Sequence, residues 1–146
     1  MKRGFTLIEL IIVIIIVGIL AAVGISQYSL TVEKGRITEA KVRIGVMRQL
    51  AHEYWLNNQD MTNMQYNDVD IGVDNSCSST GFYRYYPGSL TSTAVSLGAA
   101  RCTSDGKTPN ASRGYHYYLR YEPGSGWSQW HCYYDNDGSG CFGLTP

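Results

Sequence analysis

From Phe5 to Ile25 the chain reads FTLIELIIVIIIVGILAAVGI, apolar at nearly every position. An apolar run of about 20 residues is long enough to cross a bilayer as a helix. Glu9 interrupts it. A carboxylate near the bilayer centre costs about 2.5–3.5 kcal/mol on insertion scales, so one found there reads as functional and asks for a partner. Lys2 and Arg3 precede the run and should stay on the cytoplasmic side. Everything after Gln27 then faces the periplasm or the exterior. In a secretory signal the small residue at the cleavage site follows the apolar core; here the candidate, Gly4, precedes it. Cleavage after Gly4 would leave a new amine on Phe5. Glu9 would lie four residues along, about 6 Å by helix rise. It could pair with its own Phe5 amine or with that of a neighbouring chain. The second pairing makes Glu9 a register device, because a buried charge is penalised unless it is paired.

Gly4-Phe5-Thr6-Leu7-Ile8-Glu9, behind a short basic leader and ahead of a long apolar run, resembles the class III signal of type IV pilins and pseudopilins. GILAAVGISQY, from Gly18 to Tyr28, extends the likeness, which is specific over roughly the first 36 residues. The resemblance implies that a prepilin peptidase cuts between Gly4 and Phe5 and N-methylates Phe5. It also implies that Glu9 pairs with a neighbour's N-terminus as a helical filament of identical subunits grows from an inner-membrane assembly platform. The family often has Pro where this chain has Ser26. The usual cause of a kink is then missing, although Gly18 and Gly24 each weaken a helix by roughly 1 kcal/mol.

Beyond the membrane run, Ile37, Ala40, Ile44, Met47, Ala51 and Tyr54 recur at steps of three and four. That is one face of an amphipathic helix, expected to pack on a head domain. Glu33, Arg36, Glu39, Arg43 and Arg48 fall mostly on other faces. One continuous rod of about 50 residues, roughly 75 Å long, is predicted. Gly35 and Gly45 read as tolerated helix defects or as points of close approach.

After Asn58 the polar, turn-rich stretch QDMTNMQYNDVDIGVDNSCSSTG reads as a long loop. Strands are predicted at Phe82 to Tyr86, ended by Pro87-Gly88, and at Tyr115 to Tyr121 and Trp127 to Tyr134, the last two joined as a hairpin. A weaker strand is placed at Val95 to Ala100. In the strand from Tyr115, the side chains of Tyr115, Tyr117, Leu119 and Tyr121 should face one way, with His116, Tyr118 and Arg120 opposite. The expected architecture is α+β: a long N-terminal helix whose second half packs on a small antiparallel sheet stapled by disulfides. The chain divides into a leader (1–4), a transmembrane and filament-core helix (5–25), an amphipathic helix (26–58) and a sheet-based head (59–146).

Cys77, Cys102, Cys132 and Cys141 are an even set on the non-cytoplasmic side of the membrane run, which reads as disulfides. Four cysteines allow three pairings. Cys77–Cys102 and Cys132–Cys141 are favoured because each closes a local loop. The Cys132–Cys141 loop also resembles the disulfide-bounded C-terminal region of many type IV pilins.

The formal net charge is zero and there is no basic tract, so nucleic-acid binding is not evident. No cofactor is expected. Asp135, Asp137 and Ser139 alternate as at the start of a calcium loop, yet the twelfth position is Pro146 in place of a bidentate Glu. They stand as weak calcium candidates; calcium in the head is a feature of major pseudopilins. His52, His116 and His131 lack zinc spacing, and no nucleophile elbow occurs; no catalysis is expected. The many aromatics from Tyr83 to Tyr134 read as cross-strand packing or as a face for carbohydrate or other surfaces. The resemblance implies a pilin subunit, first in the inner membrane with its head periplasmic, then in an extracellular pilus serving adhesion, motility or DNA uptake. Two rivals remain: a major pseudopilin of type II secretion, forming a periplasmic pseudopilus, and a membrane-anchored monomeric binding module.

Overall fold

The computed structural model describes residues 5–73, 75–103, 107, 114–134 and 141. One helix, α1 (Leu7–Asn58), is 52 residues long, roughly 78 Å by rise. It runs unbroken through Gly18 and Gly24. It stops at Gln59, which adopts a left-handed conformation (φ 53°) and donates its backbone N–H to the Trp55 carbonyl at 2.8 Å. That closes the helix end as a left-handed cap residue does.

The head is a four-stranded antiparallel sheet in the order β1-β2-β3-β4. The strands are β1 (Tyr83–Gly88), β2 (Val95–Arg101), β3 (Tyr115–Glu122) and β4 (Trp127–Tyr134). The strand expected to stop before Pro87 continues through Pro87 and Gly88. Pro lacks a backbone N–H, and β1 is an edge strand, where that donor is not needed by a further neighbour. The weak strand at Val95 is central and the most buried of the four.

Helix and sheet meet through the expected stripe. Ile37, Ala40, Ile44, Met47 and Ala51 are fully buried, and Tyr54 packs against the same core. From the sheet come Tyr83, Tyr85, Val95, Leu97, Ala99, Tyr115, Tyr117, Leu119 and Tyr121. Alternation along β3 follows the split expected for it, with odd-numbered residues buried and even-numbered ones less so. The long loop is not merely a surface connection. It forms a single 3-10 turn at Tyr66–Val69 and sends Met61, Met64 and Val69 into the core. Gly35 and Gly45 have open space around them within the chain.

Disulfides join Cys77 to Cys102 and Cys132 to Cys141. The first holds the loop before β1 to the end of β2. The second holds Cys141 to β4, where the buried Cys141 joins the core.

Glu33 departs from the sequence reading. The charged residues of this segment are expected mostly on faces other than the apolar stripe, yet Glu33 is 1% exposed. Its carboxylate accepts hydrogen bonds from Arg101 at 2.8 and 3.1 Å, from Arg36 at 2.7 Å and from the Tyr115 hydroxyl at 3.1 Å. The remaining Arg101 donors reach the carbonyls of Phe82, Cys102 and Lys107. A fully bonded buried pair replaces what periodicity would have put in solvent.

Candidate functional site

The membrane-length run lies on the half of α1 that no other described part of the chain covers. Every described side chain from Phe5 to Ile25 is exposed, including Leu7, Ile8, Ile14, Leu20 and Ile25 at 58% exposure or more. The helix is long and apolar enough to cross a membrane. Burying each Ile, Leu or Val side chain is worth about 1.5–3 kcal/mol, so this surface is incompatible with water and needs lipid or protein around it.

At the tip of the rod, Thr6 and Glu9 form a reciprocal capping box. The Thr6 backbone N–H and hydroxyl donate to Glu9 Oε2 at 2.8 and 2.6 Å, and the Glu9 N–H donates to Thr6 Oγ1 at 3.4 Å. Two of the helix's otherwise orphaned amides are thereby satisfied. Glu9 is held by its own first turn, at the end where the partial positive charge of the helix dipole favours a carboxylate. The Thr6-x-x-Glu9 pattern directly before an apolar run was a readable signal for this cap, and the sequence reading of Glu9 considered only the Phe5 amine. Phe5 is 78% exposed beside this cap. Gly4, and with it the expected cleavage point, lies outside the described residues.

The geometry makes the chain's first helical turn a compact polar tip on an apolar rod. The same N-terminus matches the family model for the prokaryotic N-terminal methylation motif over residues 1–25. The N-terminus thus carries a prokaryotic N-terminal methylation motif. The likeness extends beyond it. The chain is 37% identical over 83 residues to a fimbrial protein of Neisseria meningitidis, covering 57% of this chain and 47% of that protein. It is 37% identical over 83 residues to the type IV major pilin protein PilE of Neisseria gonorrhoeae, covering 57% of this chain and 48% of the relative. It is 30% identical over 90 residues to the type IV major fimbrial protein FimA of Dichelobacter nodosus, covering 56% and 58% respectively. The chain thus spans about half the length of the curated relatives it matches. At 83 to 90 residues, each matched stretch is longer than the 25-residue motif.

The calcium candidates Asp135, Asp137 and Ser139 lie outside the described residues. Among the described residues no cluster of three or more His, Cys, Asp or Glu side chains is placed to hold a metal.

Electrostatics in the head centre on Glu33. Burial pushes its carboxyl up, but hydrogen bonds and charge from Arg101, with hydrogen bonds from Arg36 and Tyr115, outweigh burial and hold it below the usual range. Burial alone would lower Arg101, and Glu33 more than reverses that. The Tyr83 and Tyr115 hydroxyls share a hydrogen bond at 2.6 Å, and burial raises both well above the ordinary tyrosine range. This cluster fixes the sheet to the helix just where the bare rod ends.

Proposed function

We propose that the chain is a pilin subunit that polymerises through α1 into a helical filament. The observation that carries this reading is the exposure of the entire apolar rod together with its polar tip. Before assembly the rod sits in the inner membrane, with the head on the periplasmic side. Prepilin peptidase cuts between Gly4 and Phe5 and methylates Phe5. Identical subunits drawn from the membrane by an assembly platform then bury the rods against one another at the filament axis. The energy for that comes from keeping apolar side chains out of water, and no bilayer is needed once the rods are bundled.

In this reading Glu9 has two successive partners. In the membrane precursor Thr6 satisfies it locally. In the filament the methylated Phe5 amine of a neighbour replaces or joins Thr6, and the charge pair sets the stagger between subunits. The filament is an extracellular pilus used for adhesion, motility or DNA uptake; a short periplasmic pseudopilus is the alternative built from the same parts. A tethered monomeric module would use Glu9 only as the local cap with Thr6 and would need no charge pair with a neighbour.

Two substitutions test the role of Glu9. Gln can occupy the third position of a capping box, so Glu9→Gln keeps the local cap and removes the charge. Glu9→Ala removes both. Filament yield, read from sheared surface fractions, should fall strongly in both variants while the protein remains in the membrane. Wild-type yield from Glu9→Ala would rule out Glu9 as a register device.

A further inference from the structure

The sheet face turned away from α1 carries a built depression that the filament reading does not use. Antiparallel register aligns three cross-strand rows there: Arg84, Ala100, His116 and Tyr133; Tyr86, Gly98, Tyr118 and His131; Gly88, Ser96, Arg120 and Gln129. In every row β2 contributes a residue no larger than Ser. β1 and β3 stand on either side of it, about 9–10 Å apart by strand spacing. The result is a trough whose floor is the small β2 residues, with the Tyr86 ring laid over Gly98, between aromatic walls. Its volume is about 550 Å³, within the range of small-molecule sites.

Side-chain placement within the trough is specific. The Tyr86 ring lies over Gly98, so that a Cβ at position 98 would come 3.0 Å from its Cζ. The Tyr86 hydroxyl reaches across β2 to His116 Nδ1 at 2.6 Å. Tyr118 and His131 stack face on face with ring centroids 5.0 Å apart and planes 14° from parallel, a paired aromatic wall from β3 and β4. Ser89 and Ser96 bring hydroxyls to the rim, and Arg120 brings the formal charge. Arg120 is 3.9 Å from Glu122, and both side chains are well exposed, so that contact holds it weakly. Among the described residues no carboxylate lines the depression.

We infer that this trough is a binding site for an acidic sugar residue, such as a uronic acid at the end of a glycan. The chemistry is complementary on three counts. A pyranose has an apolar C–H face suited to an aromatic wall such as Tyr118 and His131. Its hydroxyl edge suits the Ser89 and Ser96 hydroxyls. Its carboxylate suits the Arg120 guanidinium, which can bind it through two parallel hydrogen bonds. A wholly apolar peptide would leave Arg120 and the hydroxyls without partners. A nucleic-acid strand, one charge per nucleotide, calls for a cationic groove tracking its backbone, whereas among the described residues Arg120 is the single Lys or Arg in the lining. The inference does not depend on the filament reading, since the trough lies on the opposite side of the sheet from α1.

Saturation-transfer NMR on the detergent-solubilised full chain tests it, with methyl β-D-glucuronide as the probe and methyl β-D-glucoside as the neutral comparison. Saturation of the aromatic protons should pass to the ring protons of the glucuronide and more weakly to those of the glucoside. Arg120→Gln should weaken glucuronide affinity about tenfold, the worth of one good charged hydrogen-bonding contact, and leave the glucoside unchanged. Tyr118→Ala should abolish transfer to both sugars. Tyr118→Phe, which keeps the wall, should retain it and so separates loss of the site from loss of the fold. Absence of transfer in the wild-type chain, or equal transfer in the wild type and Tyr118→Ala, would overturn the proposal. So would stronger transfer to a thymidine oligonucleotide, lost in the same variants, which would assign the trough to single-stranded nucleic acid.

Discussion

Arg101 Nη2 lies 2.8 Å from Glu33 Oε1, joining β2 to α1 across 68 residues of sequence, and both side chains are essentially unexposed. Arg36 and the Tyr115 hydroxyl donate to the same carboxylate. Removing one partner leaves a buried charge uncompensated, which costs about 3–5 kcal/mol. Arg101→Met and Glu33→Gln should each destabilise the head by that order. The double variant should cost clearly less than the sum, because neither charge is then stranded. Denaturant unfolding of the four proteins measures the coupling; additive losses would mean that the pair acts only through packing.

The same cluster sets the pH limits of the head. Glu33 is held below its ordinary value of 4.5 when folded, so the folded state binds its proton less readily than the unfolded chain does. Its stabilising contribution is complete above pH 4.5 and is lost as pH falls through the depressed folded value. On the alkaline side the sign reverses. Burial raises Tyr85 to about 12, and Tyr83 and Tyr115 are raised as well, from an ordinary value of 10.0. Their contribution is complete below pH 10 and drains away as pH rises toward the folded values. Thermal scans across pH should show a broad plateau with falls at both ends. In Tyr85→Phe the alkaline fall should be shallower, and an unchanged slope would contradict the assignment to Tyr85.

Tyr117 is fully buried in the core, and its hydroxyl has no hydrogen-bond partner among the described residues. Leaving a buried hydroxyl unsatisfied costs about 1–3 kcal/mol. Tyr117 also stacks on Trp130 at 5.1 Å between ring centroids, and Phe preserves that contact. Tyr117→Phe should therefore be neutral or raise the midpoint temperature by a few degrees. A clear loss of stability would reveal a bond made by that hydroxyl.

The two disulfides staple different loops. Cys77 and Cys102 are separated by 25 residues and Cys132 and Cys141 by 9. In the chain-entropy model these closures stabilise by roughly 3–4 and roughly 2–3 kcal/mol respectively. Replacing Cys77 and Cys102 together by Ala should lower head stability more than replacing Cys132 and Cys141, as read by denaturant midpoints. The opposite order would mean that native contacts around Cys141 outweigh loop entropy.

Much of this fold was legible because it rests on period and punctuation. The stripe from Ile37 to Ala51 is a 3.6-residue pattern, and β3 alternates with period two, so both are written locally in the sequence. The boundaries that moved have local causes too: Pro87 is tolerated because β1 is an edge. Glu33 was not legible. Its partner is 68 residues away, and a charged residue near a helix's polar flank gives no local sign that it will be buried. The polar tip was half legible. GFTLIE pointed to processing and to Glu9, but Thr6 was overlooked although it is three residues from Glu9 and in capping-box register. The trough on the outer sheet face was hidden for another reason: it needs the register of β2 against β1 and β3, which the sequence of one strand does not contain.

The assembly reading is tested most directly by the mass of the N-terminal peptide from filaments sheared off intact cells. The expected peptide begins at N-methylated Phe5, with residues 1–4 absent. The same mature end confined to the envelope fraction would assign the chain to a periplasmic pseudopilus. An intact Met1 end on functional, membrane-bound protein would contradict processing at Gly4 and remove the Phe5 amine as a partner for Glu9.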